Sequence, residues 1–145
     1  MSSSPVLKER HANLLKERRL KATPIRLALL HVLEAMHEPL GIHELIDQLP
    51  KGIKADKVTV YRAIEAFIET GLVRQVNMRH GHTDYEFALV PDHHHLVCTS
   101  CGRMEEFEEC DIEHISKTVL RKHPNFVSIQ DHALELFGLC KKCSD

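Results

Sequence analysis

Cys98-x-x-Cys101 and Cys140-x-x-Cys143 are two identically spaced thiol pairs separated by 38 residues. Zn²⁺ favours four thiolates in a tetrahedron, and a two-residue spacer lets both sulfurs of a pair converge on one ion. Two matched pairs at the ends of one short segment point to a single four-cysteine zinc site rather than two redox dithiols. With every coordination position filled by sulfur, such a site is structural. It would clasp the last strand to the start of its domain, in a unit too small for a large core. Cys110 stands outside both pairs and reads as an unliganded residue beside a helix start.

The stretch "DHHHLVC" leads into the first pair. On a strand, alternate side chains face opposite sides. His93 and His95 then share one face, and Asp92 and His94 share the other. The triplet supplies two half-sites. Their candidate partners are Glu86 at the end of the preceding hairpin, Glu105 and Glu106 after the first thiol pair, Glu113 on the first turn of the next helix, and His132 on the last strand. Imidazole with carboxylate suits Zn²⁺, Fe²⁺, Mn²⁺ or Ni²⁺, and the absence of thiolate leans toward the harder metals. An isolated His triplet is most often a solvated tract; the adjacent thiol pair and carboxylates favour ligation here. His11, His31, His114 and His123 lack such neighbours and read as helix-surface or packing residues.

These groups must be held by a chain of 145 residues, enough for one ordinary domain or two small ones. Apolar residues make up 43%, which permits a packed core. No run approaches the roughly 18 apolar residues of a membrane span. "MSSSPVLKER" has no signal-peptide core, so the expected compartment is the cytoplasm. The net charge of −2 hides an asymmetry: residues 1–27 carry +5 and residues 91–145 carry −4. A basic start suits a polyanion, and an acidic, His- and Cys-rich end suits cations.

"LKERHANLLKERRL" reads as a short amphipathic helix. Thr23 caps a second helix with Pro24 in its first turn, and Ile25, Leu29, Val32, Leu33 and Met36 form its apolar stripe. "IHELIDQLP" is a third helix. Asp56 caps a fourth that runs to Thr70 and stops at Gly71, with Val60, Ile64, Phe67 and Ile68 buried. "LVRQVNMRHGHTDYEFAL" reads as two strands around Arg79-His80-Gly81-His82. Helices followed by a hairpin make the winged helix-turn-helix pattern. Beyond it, "HHHLVC" and "RMEEFEE" are short strands. "DIEHISKTVLRKH" is a helix capped by Asp111 with Ile112, Ile115, Val119 and Leu120 inward, and "FVSIQDHALELFGLC" is a long strand. The expected class is α+β: a winged helix-turn-helix domain over 1–88, then a small α/β domain over 89–145 with the four-cysteine zinc site.

The stretches "LKATPIRLALLHVL", "VTVYRAIEAFIETGLV", "DYEFALVPDHHHLVCTSCGRMEEF", "DHALELFGLC" and "CKKC" together resemble the ferric uptake regulator family over nearly the whole chain. The resemblance implies a metal-responsive repressor, not an enzyme, that binds a palindromic duplex operator as a homodimer when a sensor site holds a divalent metal. It implies structural Zn²⁺ at Cys98, Cys101, Cys140 and Cys143. Glu86, His93, His95 and Glu106 match the sensor set bridging the two domains. His94, Glu113 and His132 match a second site in the dimerisation domain. Asp92 stands where some members have histidine. Tyr61 and Arg62 match recognition-helix residues, with Lys57 and Thr59 able to reach phosphates, and Lys21 matches a lysine directed at the minor groove.

One departure stands out. Many members supply a sensor histidine before the third helix; here Pro39 occupies that place, with His37 and His43 displaced from it. His80 and His82, which share strand parity with Asp84 and Glu86, are candidate closing ligands, evenly balanced against solvated hairpin-tip residues. The regulatory metal expected is Fe²⁺, with Zn²⁺ or Mn²⁺ as alternatives. Zinc-uptake and peroxide-responsive members share the architecture, and Glu106 in place of Asp argues against the peroxide type. A metal-dependent hydrolase would need an open coordination position, a base and a cleft, none of which the sequence demands.

Overall fold

The computed structural model describes residues 4–144. The chain divides into two compact units, one ending at Val90 and the other beginning at Pro91. It is a mixed α and β protein. No helix among the described residues is long and apolar enough to cross a membrane.

The first unit comprises α1 (Pro5–Glu17), α2 (Pro24–Met36), α3 (Ile42–Asp47), α4 (Lys57–Glu69) and an antiparallel pair, β1 (Val73–Val76) and β2 (Asp84–Phe87). Three of its helices, α1, α2 and α4, begin where side chains satisfy the orphan amides of a first turn. Ser4 caps α1, and Thr23 Oγ1 accepts from the Arg26 amide at 3.4 Å to cap α2. Asp56 Oδ1 accepts from the Thr59 amide at 2.8 Å to cap α4. That hydrogen bond lowers the Asp56 pKa. Helix α4 ends at Glu69 with Thr70 as its C-cap, and Gly71 follows at φ +79°, a conformation that glycine adopts without a Cβ clash. The core gathers Leu29 and Leu33 of α2, Leu45 of α3, Ile64 and Phe67 of α4, Leu72, and Tyr85 and Phe87 of β2. Leu40 pairs with Tyr85 through two backbone hydrogen bonds of 2.8 and 2.9 Å, stitching the α2–α3 connection to β2. Replacing Thr23 with alanine leaves the α2 amide unpaired. The expected cost is about 1 kcal/mol of stability, read as a lower denaturant midpoint with unchanged slope.

The second unit holds β3 (His94–Cys98), β4 (Met104–Phe107), α5 (Ile112–Lys122) and β5 (Glu135–Gly138) in a sheet of order β4-β3-β5. β3 is antiparallel to β4 and parallel to β5, and α5 lies in the crossover that parallel pairing requires. The long strand expected over 126–140 shortens to β5. Its pairing starts at His95↔Glu135, one residue into β3, and among the described residues nothing before Glu135 joins the ladder. Helix α5 also departs from expectation: none of its residues is buried, and Ile115 and Val119 are exposed.

Candidate metal centres and nucleic-acid face

The four cysteines converge because the sheet aligns their turns. Cys98 ends β3, and Gly102 (φ +77°) closes the turn that brings Cys101 back. The β3–β5 ladder carries the chain to Cys140, and the Cys143 amide bonds back to the Cys140 carbonyl at 3.0 Å. All four sulfurs lie within 4.8 Å of one another, and Cys101 Sγ to Cys140 Sγ is 3.8 Å. Zn–S bonds of about 2.3 Å give a tetrahedral edge of about 3.8 Å, so the donor set fits Zn²⁺. Backbone amides at Cys101, Cys140 and Ser100 hold the Cys98 thiol down to about 6, with the Cys140 amide 3.4 Å from its sulfur. A Ser100 hydrogen bond pulls Cys143 downward, but the sulfurs of Cys140, Cys101 and Cys98 outweigh it and push Cys143 up to about 11.

Strand alternation sorts the histidines. His95 lies opposite Glu106 in the β3–β4 register, so their side chains share a face, while Glu105 stands opposite Leu96 on the other. His95 is buried, and its ring centroid is 5.1 Å from that of His93. In the first unit, Glu86 is buried in β2 opposite Arg74, whose Nε donates to its Oε1 at 2.6 Å.

On the opposite face, the Nε2 atoms of His94 and His132 are 3.4 Å apart. Cys110 Sγ lies 3.7 Å from His132 Nε2, and the three donors form one cluster. Asp92 Oδ2 is 3.4 Å from His132 Nε2 and 3.8 Å from His94 Nε2. The structure thus brings a thiol and Asp92 to this face. Glu113, expected there, is exposed and pairs with Lys117 at 3.0 Å. Cys110, read from the sequence as unliganded, joins the cluster three residues beyond Phe107, the β4 residue that pairs with His94. A thiol shifts this site's preference toward softer ions such as Zn²⁺.

His80, His82 and Asp84 also converge, within the first unit. Strand parity is not the cause, since β2 begins only at Asp84. The turn does it, with Arg79 at φ +58° and Gly81 at φ +93°. Burial raises the Asp84 pKa, against the opposing pull of His80 and His82. Pro39 is buried, while His37 at the α2 C-cap and His43 on α3 are exposed.

Helix α4 shows two faces. Val60, Ala63, Ile64 and Phe67 are buried; Lys57, Thr59, Tyr61 and Arg62 are exposed. Lys57 Nζ sits 6.0 Å from the Tyr61 ring centroid. Val58, not singled out from the sequence, is 57% exposed and belongs to the same face at helical spacing with Tyr61 and Arg62. Lys21 is exposed, and its carbonyl accepts from Arg26 at 3.0 Å.

A helical unit with such a face, joined to a unit built around sulfur and imidazole, defines a metal-responsive transcriptional regulator. Residues 17–137 match the Ferric uptake regulator family, and the chain belongs to it. It is 36% identical over 132 residues to the ferric uptake regulation protein of Legionella pneumophila, covering 89% of this chain and 95% of that one. The Vibrio cholerae ferric uptake regulator, a crystal structure described as showing rearrangement of its DNA-binding domains, superposes with a TM-score of 0.72. It shares 32% identity over 89% of this chain and 98% of that one. The Pseudomonas aeruginosa ferric uptake regulator, solved with manganese, gives a TM-score of 0.73 and 28% identity over 90% and 98%.

Proposed function

We propose that this protein is a repressor that binds a palindromic duplex operator as a homodimer when its sensor site holds a divalent metal, Fe²⁺ first. The observation that carries the reading is the two-faced α4, which presents Lys57, Thr59, Tyr61 and Arg62 outward beside the β1–β2 hairpin. This is a winged helix-turn-helix arrangement, with α4 as the recognition helix and the hairpin as the wing. Arg62 can pair with guanine O6 and N7, Tyr61 and Val58 can pack on thymine methyls, and Lys57, Thr59 and Lys21 contact the backbone. The residues from Pro91 onward form the dimerisation domain. Its exposed Ile115, Val119, Phe126 and Val127 are apolar side chains that a second copy would cover. Two-fold symmetry of the protein then calls for a palindrome.

The sensor set is Glu86, His93, His95 and Glu106. Glu86 belongs to the first domain and the other three to the second, so an ion recruiting all four favours one inter-domain arrangement. It shifts that equilibrium only by its differential affinity for the two states. The Cys110 thiol beside His94 and His132 favours zinc at the second site, which makes a zinc-responsive regulator the second reading.

The test is selection of a binding site from a random duplex pool, followed by anaerobic titration with Fe²⁺, Mn²⁺ and Zn²⁺. The expected result is a palindromic site bound only with metal, more weakly as salt rises. Equal binding with metal and with chelator would overturn the reading. Arg62→Ala is expected to cost about 1–3 kcal/mol of operator affinity and to relax specificity at one base pair, measured by fluorescence anisotropy on point-substituted duplexes.

A further inference from the structure

The group at the hairpin tip makes contacts that the proposed regulatory mechanism does not use. His80 Nε2 lies 2.7 Å from Asp84 Oδ2, and His82 Nε2 lies 3.2 Å from Asp84 Oδ1. The two imidazoles stack at 3.9 Å between centroids; His80 Nε2 is hydrogen-bonded to Oδ2, while His82 Nε2 stands beside Oδ1 without hydrogen-bond alignment. Asp84 is 4% exposed, and its Oδ1 is buried without a hydrogen-bond partner. A buried acceptor left in that state is costly unless a cation completes it. Glu44 Oε1, on α3, is 3.9 Å from His82 Nε2.

The opposite wall is Gly41. A Cβ placed there would stand 2.9 Å from His82 Cδ2, 3.1 Å from His82 Nε2 and 3.2 Å from Asp84 Oδ1. The missing side chain leaves the space in which the imidazole and carboxylate face each other. Gly41 has φ −76°, so its backbone does not require glycine.

We propose that His80, His82 and Asp84, with Glu44 closing the set, form a divalent-metal site of Zn²⁺ type lying wholly within the first unit and separate from the sensor set. Zn–N and Zn–O bonds of about 2.0–2.1 Å give a tetrahedral edge of roughly 3.3–3.4 Å. The observed separations of 2.7 and 3.2 Å lie close to that edge, and the donors of His80, His82 and Asp84 lie within 4.8 Å of one another; Glu44, 3.9 Å from His82, has to swing inward to complete the shell. Two imidazoles with two carboxylates suit Zn²⁺, with Ni²⁺ as competitor. Bound metal would tie the hairpin tip to α3, limiting hairpin motion without reference to the second unit.

The test uses the full-length protein dialysed to equilibrium against buffered Zn²⁺, with bound metal counted by mass spectrometry. His80→Ala/His82→Ala is expected to lose one zinc equivalent per chain, both in the parent and in a His93→Ala/His95→Ala background. Gly41→Ala, which leaves every ligand in place, is expected to weaken the same equivalent tenfold or more. Long-range ¹H–¹⁵N spectra of the parent should show the His80 and His82 ring nitrogens shifting on Zn²⁺ addition. Unchanged zinc content in His80→Ala/His82→Ala overturns the proposal. So does loss confined to the parent background, which would make the two histidines closing ligands of the sensor. If the variants fail to fold, ring signals of the parent that do not respond to Zn²⁺ overturn it alone.

Discussion

Cys98→Ser/Cys101→Ser is expected to abolish the structural zinc and unfold the chain from Pro91 onward. Among the described residues, the apolar cluster that forms the main core draws every member from the first unit. In the second unit the buried hydrophobic positions are Val97 and Cys98, and α5 buries nothing. Apolar burial on that scale cannot offset the conformational entropy of ordering some fifty residues, at about 1–2 kcal/mol each for backbone alone. Structural zinc binding, at about 10–16 kcal/mol in small domains, exceeds the typical net stability of about 5–15 kcal/mol. Amide hydrogen exchange is the measurement. Loss of protection in β3, β4 and β5 is expected, and retained protection in the zinc-free variant would show that packing alone holds the unit. Zinc loading also carries a proton signature. Cys98, held down to about 6, is already a thiolate at pH 7.5, while Cys143, pushed up to about 11, still carries its proton. Metal uptake at pH 7.5 should release fewer than four protons from the four thiols, and release should rise as pH falls below 6.

His93→Ala/His95→Ala is expected to remove metal stimulation of operator binding while leaving a folded, zinc-containing protein. His95 is buried on β3 opposite Glu106, and deleting both imidazoles leaves carboxylates alone in the proposed sensor set. Allosteric couplings typically change affinity about 5–150-fold, or 1–3 kcal/mol, and that whole factor should vanish here. Anisotropy titrations with and without Fe²⁺, beside zinc analysis of the same sample, separate loss of sensing from loss of fold. A double variant that still responds to metal would place the sensor elsewhere.

Elements governed by local chemistry were legible from the chain alone. Thr23, Asp56 and Asp111 each cap the helix that follows, because an N-cap acts on an amide three residues away. The buried side of α4 follows from helical periodicity around Val60, Ile64 and Phe67. The shortened last strand and the outward stripe of α5 were not legible. Periodicity reports that a residue is apolar and gives its phase; it does not say whether a partner surface exists within the same chain. The stripe was assigned inward for that reason, and it instead leaves Ile115 and Val119 exposed.

The same division runs through the metal sites. Sequence determined the four-cysteine set, because a two-residue spacer constrains both sulfurs of a pair and only the meeting of two pairs was left to the fold. It also determined that His95 opposes His94, because side chains along a strand alternate with a period of two; His93 precedes β3, and its place beside His95 was left to the fold. Tertiary structure decided the rest. Cys110 and Asp92 reach His94 and His132 from segments outside the strands, while Glu113 turns to Lys117. Gly41 opens the space in which His82 meets Asp84, from a segment that a backbone bridge at Leu40 and Tyr85 holds against β2. Ligand sets of this kind depend on through-space separations of three to four ångströms. Register, positive-φ turns and a missing Cβ set those separations, and linear spacing encodes none of them.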